Sequence, residues 1–114
     1  MKKRYIVTPK DKRAEELLDL NNAPENDLIE LVLTDEQFEK LTVFGVFSGL
    51  NDIVGTSIDD FEDECIKSSE KLRIGLKYFK AIPLEDETMV NIKEKIVSIF
   101  EEALSRKTGV YFFF

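Results

Sequence analysis

Hydrophobic and polar positions divide the chain into alternating strand-like and helix-like stretches. Lys3 to Thr8 reads as a short strand that Pro9 stops. Lys10 to Leu20 gathers Ala14, Leu17, Leu18 and Leu20 near one face, with Glu15, Glu16 and Asp19 opposite, the pattern of an amphipathic helix. Asn21 to Pro24 is a turn by composition. From Asp27 to Leu33 the apolar residues are too dense for clean alternation, which suits a strand buried on both faces.

Thr34-Asp35-Glu36-Gln37 has the form of a capping box, so a helix follows. Phe38, Leu41, Phe44 or Gly45, and Ser48 recur at helical spacing, and Val43, Val46 and Phe47 broaden the stripe into a nearly enclosed helix that Gly49 stops. Leu50 to Thr56 fits either a turn or a further helical turn. Ser57-Ile58-Asp59-Asp60 is a second cap, and Ile58, Phe61, Cys65 and Ile66 carry a helical stripe to about Ser69. Lys71 to Tyr78 alternates almost strictly, which favours a strand. The rival is a single helix running from Ile58 through to Ile82, on the repeat of Leu72, Leu76 and Phe79. Leu84 to Lys107 is the clearest helix, with Glu85, Asp86 and Glu87 at its start, Arg106 and Lys107 at its end, and Gly109 beyond. Val110 to Phe114 is a terminal strand apolar enough to require cover inside a sheet, against the long helix. The order implies an α/β (α+β) fold: a two-layer single domain, residues 1–114, with about four short strands packed against three to four helices.

Charge narrows the function. Against 16 Lys+Arg stand 23 Asp+Glu, a formal net charge of −7, so free nucleic acid is not an expected partner. With no His and one Cys, histidine-based catalysis, an intrachain disulfide and a multi-cysteine zinc site are excluded. No glycine-rich phosphate loop occurs, and Cys65 lies on an apolar stripe as a core residue. The basic head Met1 to Arg4 is followed by only Tyr5-Ile6-Val7, short of the roughly 7–15 apolar residues of a secretion signal. No stretch approaches the roughly 20 of a membrane span, so the expectation is a cytoplasmic protein. A second basic run, Lys71, Arg73, Lys77 and Lys80, reads as the exposed face of a strand, with a phosphate contact as the lesser alternative.

The strongest local feature is Asp59-Asp60-Phe61-Glu62-Asp63-Glu64, five acids at an expected helix start. They exceed what capping requires. Asp59/Asp63 and Asp60/Glu64 would be i,i+4 pairs, but nothing matches a calcium loop, and neither a metal nor a cofactor is implied. The functional reading is an acidic docking surface, formed by Asp59, Asp60, Glu62, Asp63 and Glu64, with Glu85, Asp86 and Glu87 as a second patch.

In its length, its acidity and this acid-rich helix, the chain resembles the small acidic immunity proteins that protect bacteria from their own toxins, those of contact-dependent growth inhibition and nuclease bacteriocins among them. The resemblance implies a non-enzymatic, one-to-one inhibitor of a basic cognate toxin, a nuclease above all, with carboxylates placed where phosphates would lie. It would act as a monomer or weak homodimer. The alternative is a structural or adaptor subunit that meets its partner through Phe38, Phe44, Phe47 and Phe112 to Phe114.

Overall fold

The computed structural model describes residues 3–114; Met1 and Lys2, part of the basic head, lie outside the described residues. Four strands, β1 (Arg4–Pro9), β2 (Leu28–Leu33), β3 (Asp63–Ile66) and β4 (Val110–Phe113), form one antiparallel sheet in the order β2-β1-β4-β3. The helices are α1 (Lys12–Asp19), α2 (Asp35–Val43), α3 (Val46–Val54), α4 (Ser69–Ala81) and α5 (Glu87–Arg106). This is an α+β fold, as the patterning implies.

The terminal strand is central, which removes its apolar backbone edges from solvent. Successive side chains on a strand face opposite sides. Phe112 and Phe114 of the C-terminal segment point into the helical layer. There, a train of rings runs from Phe79 to Phe100 at 5.4 Å, on to Phe112 at 6.5 Å and to Phe114 at 5.8 Å. Tyr111 points the other way and meets α1. Its hydroxyl donates to Glu15 at 3.3 Å and to Asp19 at 3.1 Å, and Glu15 also accepts the Gly109 backbone N–H at 2.7 Å. One of the five helices therefore lies on the far face of the sheet, over Val7 and Tyr111, while α5 and its neighbours cover the near face.

The N-terminal half departs from the pattern in two places. β2 is an edge strand rather than one enclosed on both faces: Leu31 and Leu33 are buried, but Glu30 and Val32 on the other face are exposed because no helix reaches over them. The capping box at Thr34 forms, with Thr34 and Gln37 each bonding the other's backbone N–H. Its helix ends early, however, at Val43. Gly45 turns the chain in a left-handed conformation (φ +71°) that costs a glycine little, and α3 begins at Val46. Val43 and Phe44 are consequently exposed rather than enclosed. Gly49 stops nothing; it sits inside α3 and lets the Tyr78 ring lie against the helix, with the Tyr78 hydroxyl donating to the Val46 carbonyl at 2.6 Å.

The larger correction falls between residues 57 and 82. The expected acid-rich helix does not form. Ser57 to Glu62 is irregular, and Asp63 to Ile66 is a strand. Asn51 holds the start of this segment, donating to the Ile58 carbonyl and accepting the Ile58 N–H, both at 2.9 Å. Asp59 and Asp60 each accept the N–H of the next residue, a local bond that competes with helix formation, and Phe61 takes a left-handed backbone (φ 63°). The i,i+4 acid pairs therefore do not exist. The alternating run from Lys71 to Tyr78 is helical, not a strand. Ser68 caps it by accepting the Lys71 N–H, and Leu72, Gly75 and Phe79 make the buried face. Alternation and helical spacing coincide at Leu72 and Leu76, and Ile74, inward-facing on a strand reading, is exposed. The rival single helix from Ile58 is also excluded, because β3 interrupts it.

Two measurements test this packing. A Cβ added at Gly75 would lie 2.7 Å from Cε2 of the fully buried Phe100 ring. Overpacking of about 1–3 kcal/mol exceeds the helix-propensity gain of about 1 kcal/mol, so Gly75→Ala should lower the urea midpoint. An unchanged or raised midpoint would mean that the ring relaxes freely. Burial, together with Glu15 and Asp19, pushes the Tyr111 phenol far above its ordinary range. In the unfolded chain it titrates near pH 10. Its contribution is therefore complete below about pH 10 and falls by about 1.4 kcal/mol per unit as pH rises further, because only the unfolded chain has lost the proton. Unfolding measured from about pH 9 to 11 should show that slope reduced in Tyr111→Phe; equal slopes would contradict a phenol held neutral.

Candidate functional site

Arg4 is the only cation buried in the helical layer among the described residues, at 7% exposure. It occupies the strand face that also carries Ile6 and Thr8. Its guanidinium lies 4.1 Å from the Phe38 ring centroid, its Nη1 donates to Asp35 at the start of α2, and its Nε and Nη2 donate to one oxygen of Asp60 at 3.2 and 3.0 Å. Burial lowers the Arg4 pKa, but the hydrogen bonds and charges of the two carboxylates outweigh that and raise it. Arg4 thus draws acidic residues from two distant segments, Asp35 and Asp60, onto one edge of the fold.

The sheet register extends this edge into an acidic end. Arg4 pairs with Leu33, and Tyr5 with Phe113, which in turn pairs with Asp63. The start of α2 and the 59–63 segment are therefore neighbours at the same end of the sheet. α5 ends beside the opposite end, where β4 begins, and at about 1.5 Å per residue its 20 residues carry its start roughly 30 Å back toward the acids. Phe44 marks the junction: it borders one hollow with Glu85 and Asp86 and another with Glu36 and Glu39.

The eight expected site residues fare differently. Asp59, Glu62 and Asp63 are exposed at this end. Asp60 is half-buried against Arg4. Glu64 turns back, accepting the Ser57 and Cys65 N–H groups at 3.0 Å each, and is half-buried. Glu85 and Glu87 are exposed, and Asp86 caps α5 by accepting the Met89 N–H at 3.2 Å. α2 thus links the two expected patches, with Asp35 beside Asp60 at Arg4 and Phe44 beside Glu85 and Asp86. Asp35 and Glu36 escaped notice because they read as a helix cap and Glu39 because it lies in the helix that follows; Lys40 stands among them and pairs with Glu36 at 3.8 Å. Arg4 was hidden in a basic head weighed as the start of a secretion signal. Its signal was its place, on the same strand face as Ile6 and Thr8. Two exposed rings complete the surface: Phe44 at 61% and Phe61 at 82% exposure.

Burial pushes the Cys65 thiol up, as do Glu64, Asp19 and Glu15, against the lowering effect of Lys67, which disfavours a nucleophilic thiolate. Among the described residues, no group of three or more acids and cysteines is placed to hold a metal ion, and no helix is long and apolar enough to cross a membrane.

Arg4→Met keeps the stem over Phe38 and removes the charge. Hydrogen bonds to charged groups contribute about 1.5–3 kcal/mol, and Asp35 and Asp60 are exposed enough to regain water, so a loss of about 2 kcal/mol is expected in urea unfolding. Amide resonances of residues 59–62 should shift with it. Unchanged stability and unchanged resonances would show that the Arg4 clamp does not organise this end.

No protein family matches the chain, and neither does any curated protein. Among solved structures, the Neisseria DNA mimic protein DMP12 matches with a TM-score of 0.65 at 18% identity, covering 99% of this chain and 100% of that one. This overturns the toxin-immunity reading. Of the features that carried that resemblance, the acid-rich helix is a loop and a strand, and the architecture is one found in a DNA mimic. End to end, the chain shares the fold of that DNA mimic protein, at an identity low enough that the likeness is one of fold.

Proposed function

We propose that this chain is a non-enzymatic DNA mimic, which acts in the cytoplasm by occupying the DNA-binding face of a basic protein. The observation that carries the reading is the gathering of acids from α2, the 59–63 segment and the start of α5 into one surface by Arg4 and the Phe44 junction. The fold likeness to a DNA mimic protein supports it. Duplex DNA presents a dense line of negative charge, and a protein built to hold it carries matching Lys and Arg. A surface of carboxylates meets the same cations, and complementary fields accelerate the encounter by tenfold or more, roughly. Phe44 and Phe61 add exposed apolar contact points among the acids, the kind of anchor on which interface energy concentrates. Catalysis has no part in this reading.

The test is competition. Basic DNA-binding proteins captured on the immobilised chain from lysate of its source cells are each titrated with duplex DNA. Mutually exclusive binding is expected, with affinity that falls as salt rises. Glu39→Lys with Asp63→Lys should weaken binding by about tenfold or more. A captured partner that holds DNA and this chain together, or an affinity indifferent to both salt and charge reversal, would overturn the proposal.

A further inference from the structure

The end of the molecule opposite the acidic surface contains a cavity of about 460 Å³ with the reverse electrostatic character. Its floor is apolar, made by Leu72 of α4 and Ala103 and Leu104 of α5. Around the floor stand Lys12, Lys67, Arg73 and Lys107, and among the described residues no acidic side chain lines it. In a chain of net charge −7, such a concentration of cations is not what composition leads one to expect.

The fold brings these groups from four places. Ser69, Leu72 and Arg73 lie at i, i+3 and i+4 of α4 and so share one face. Lys107 ends α5 in a left-handed conformation (φ 59°). Lys67 lies between β3 and α4, and Lys12 begins α1. Two of the four cations are already engaged: Lys12 pairs with Glu15 at 3.2 Å and Lys67 with Asp19 at 3.1 Å. Arg73 and Lys107 form no ion pair among the described residues, although Lys80, further along α4, reaches Glu101 and Arg106 reaches Glu102. Arg73 adds a planar fork suited to two phosphate oxygens.

We infer that this cavity binds a small phosphorylated ligand with an apolar ring, the chemistry of a nucleoside phosphate, with the ring against Leu104, which stays half-exposed beside the buried Leu72 and Ala103, and the phosphates between Arg73 and Lys107. The volume lies within the range of small-molecule sites, and a few cations over an apolar floor are what such a ligand requires. The site is independent of the acidic surface, so its failure would leave the proposed mimicry untouched.

ATP, inorganic tripolyphosphate and adenosine are titrated separately into the full chain by calorimetry, with amide resonances followed in parallel. The expected result is that ATP binds, that tripolyphosphate and adenosine each bind at least about tenfold more weakly, and that Ser69, Leu104 and Thr108 shift. Arg73→Gln with Lys107→Asn alters two exposed side chains, and asparagine tolerates the left-handed backbone at position 107. This pair should keep the far-ultraviolet spectrum and lose at least about tenfold in ATP affinity. Four outcomes would overturn the inference: no ATP binding, tripolyphosphate binding as tightly as ATP, adenosine binding as tightly as ATP, or full ATP affinity in the folded double variant.

Discussion

The acidic surface depends on one buried positive charge. Carboxylates collected at one end of a small protein repel one another, and that repulsion would drive the start of α2 away from the 59–62 segment. Arg4 opposes it from beneath. Its strand holds the guanidinium on the core side, Phe38 supports its face, and Asp35 and Asp60 take its N–H groups. Each of those carboxylates also has a local duty, Asp35 in the first turn of α2 and Asp60 in accepting the Phe61 N–H. The clamp therefore fixes backbone as well as charge. Outward-facing acids such as Glu36, Glu39, Asp59 and Glu62 are displayed around that clamp.

The sheet register then sorts charge along the molecule. Antiparallel pairing sets Arg4, Leu33, Phe113 and Asp63 at one end, and Pro9, Leu28, Val110 and Ile66 at the other. Acids follow β2 and precede β3 at the first, whereas Lys12, Lys67 and Lys107 flank the second, which also carries Glu25 and Asp27 just before β2. α5 reinforces the division, because the acids at its start and the cations at its end, which suit its own dipole, become features of the whole surface. Glu15 and Asp19 temper the basic end and also tie α1 to β4 through Tyr111. A chain of strongly negative net charge can in this way carry a cationic cavity at one end and an acidic face at the other.

Where the sequence was legible, local chemistry and tertiary packing agreed. Thr34 and Gln37 form their capping box, α5 runs from Glu87 to Arg106 between the caps Asp86 and Lys107, and the apolar terminal strand is enclosed between two others. It was misleading where one pattern fitted two structures. Leu72 and Leu76 satisfy both periods, and only the contact of Gly75 with Phe100 and the cap at Ser68 decide for the helix. The acids at 59–64 resemble a helix start, yet Asp59 and Asp60 spend their oxygens on the next residues' N–H groups, and Asn51, distant in the pattern, holds Ile58 instead.

Composition and periodicity by themselves determined an α+β fold with a buried C-terminal strand, a long C-terminal helix and two acidic segments, because these follow from propensity, capping and apolar spacing within short windows. Tertiary structure alone decided that α2 links the two segments, that Arg4 lies inward, and that four separated cations surround one cavity. Those outcomes depend on strand order and register. Strand order and register bring together residues up to about a hundred positions apart, through contacts that no local pattern encodes.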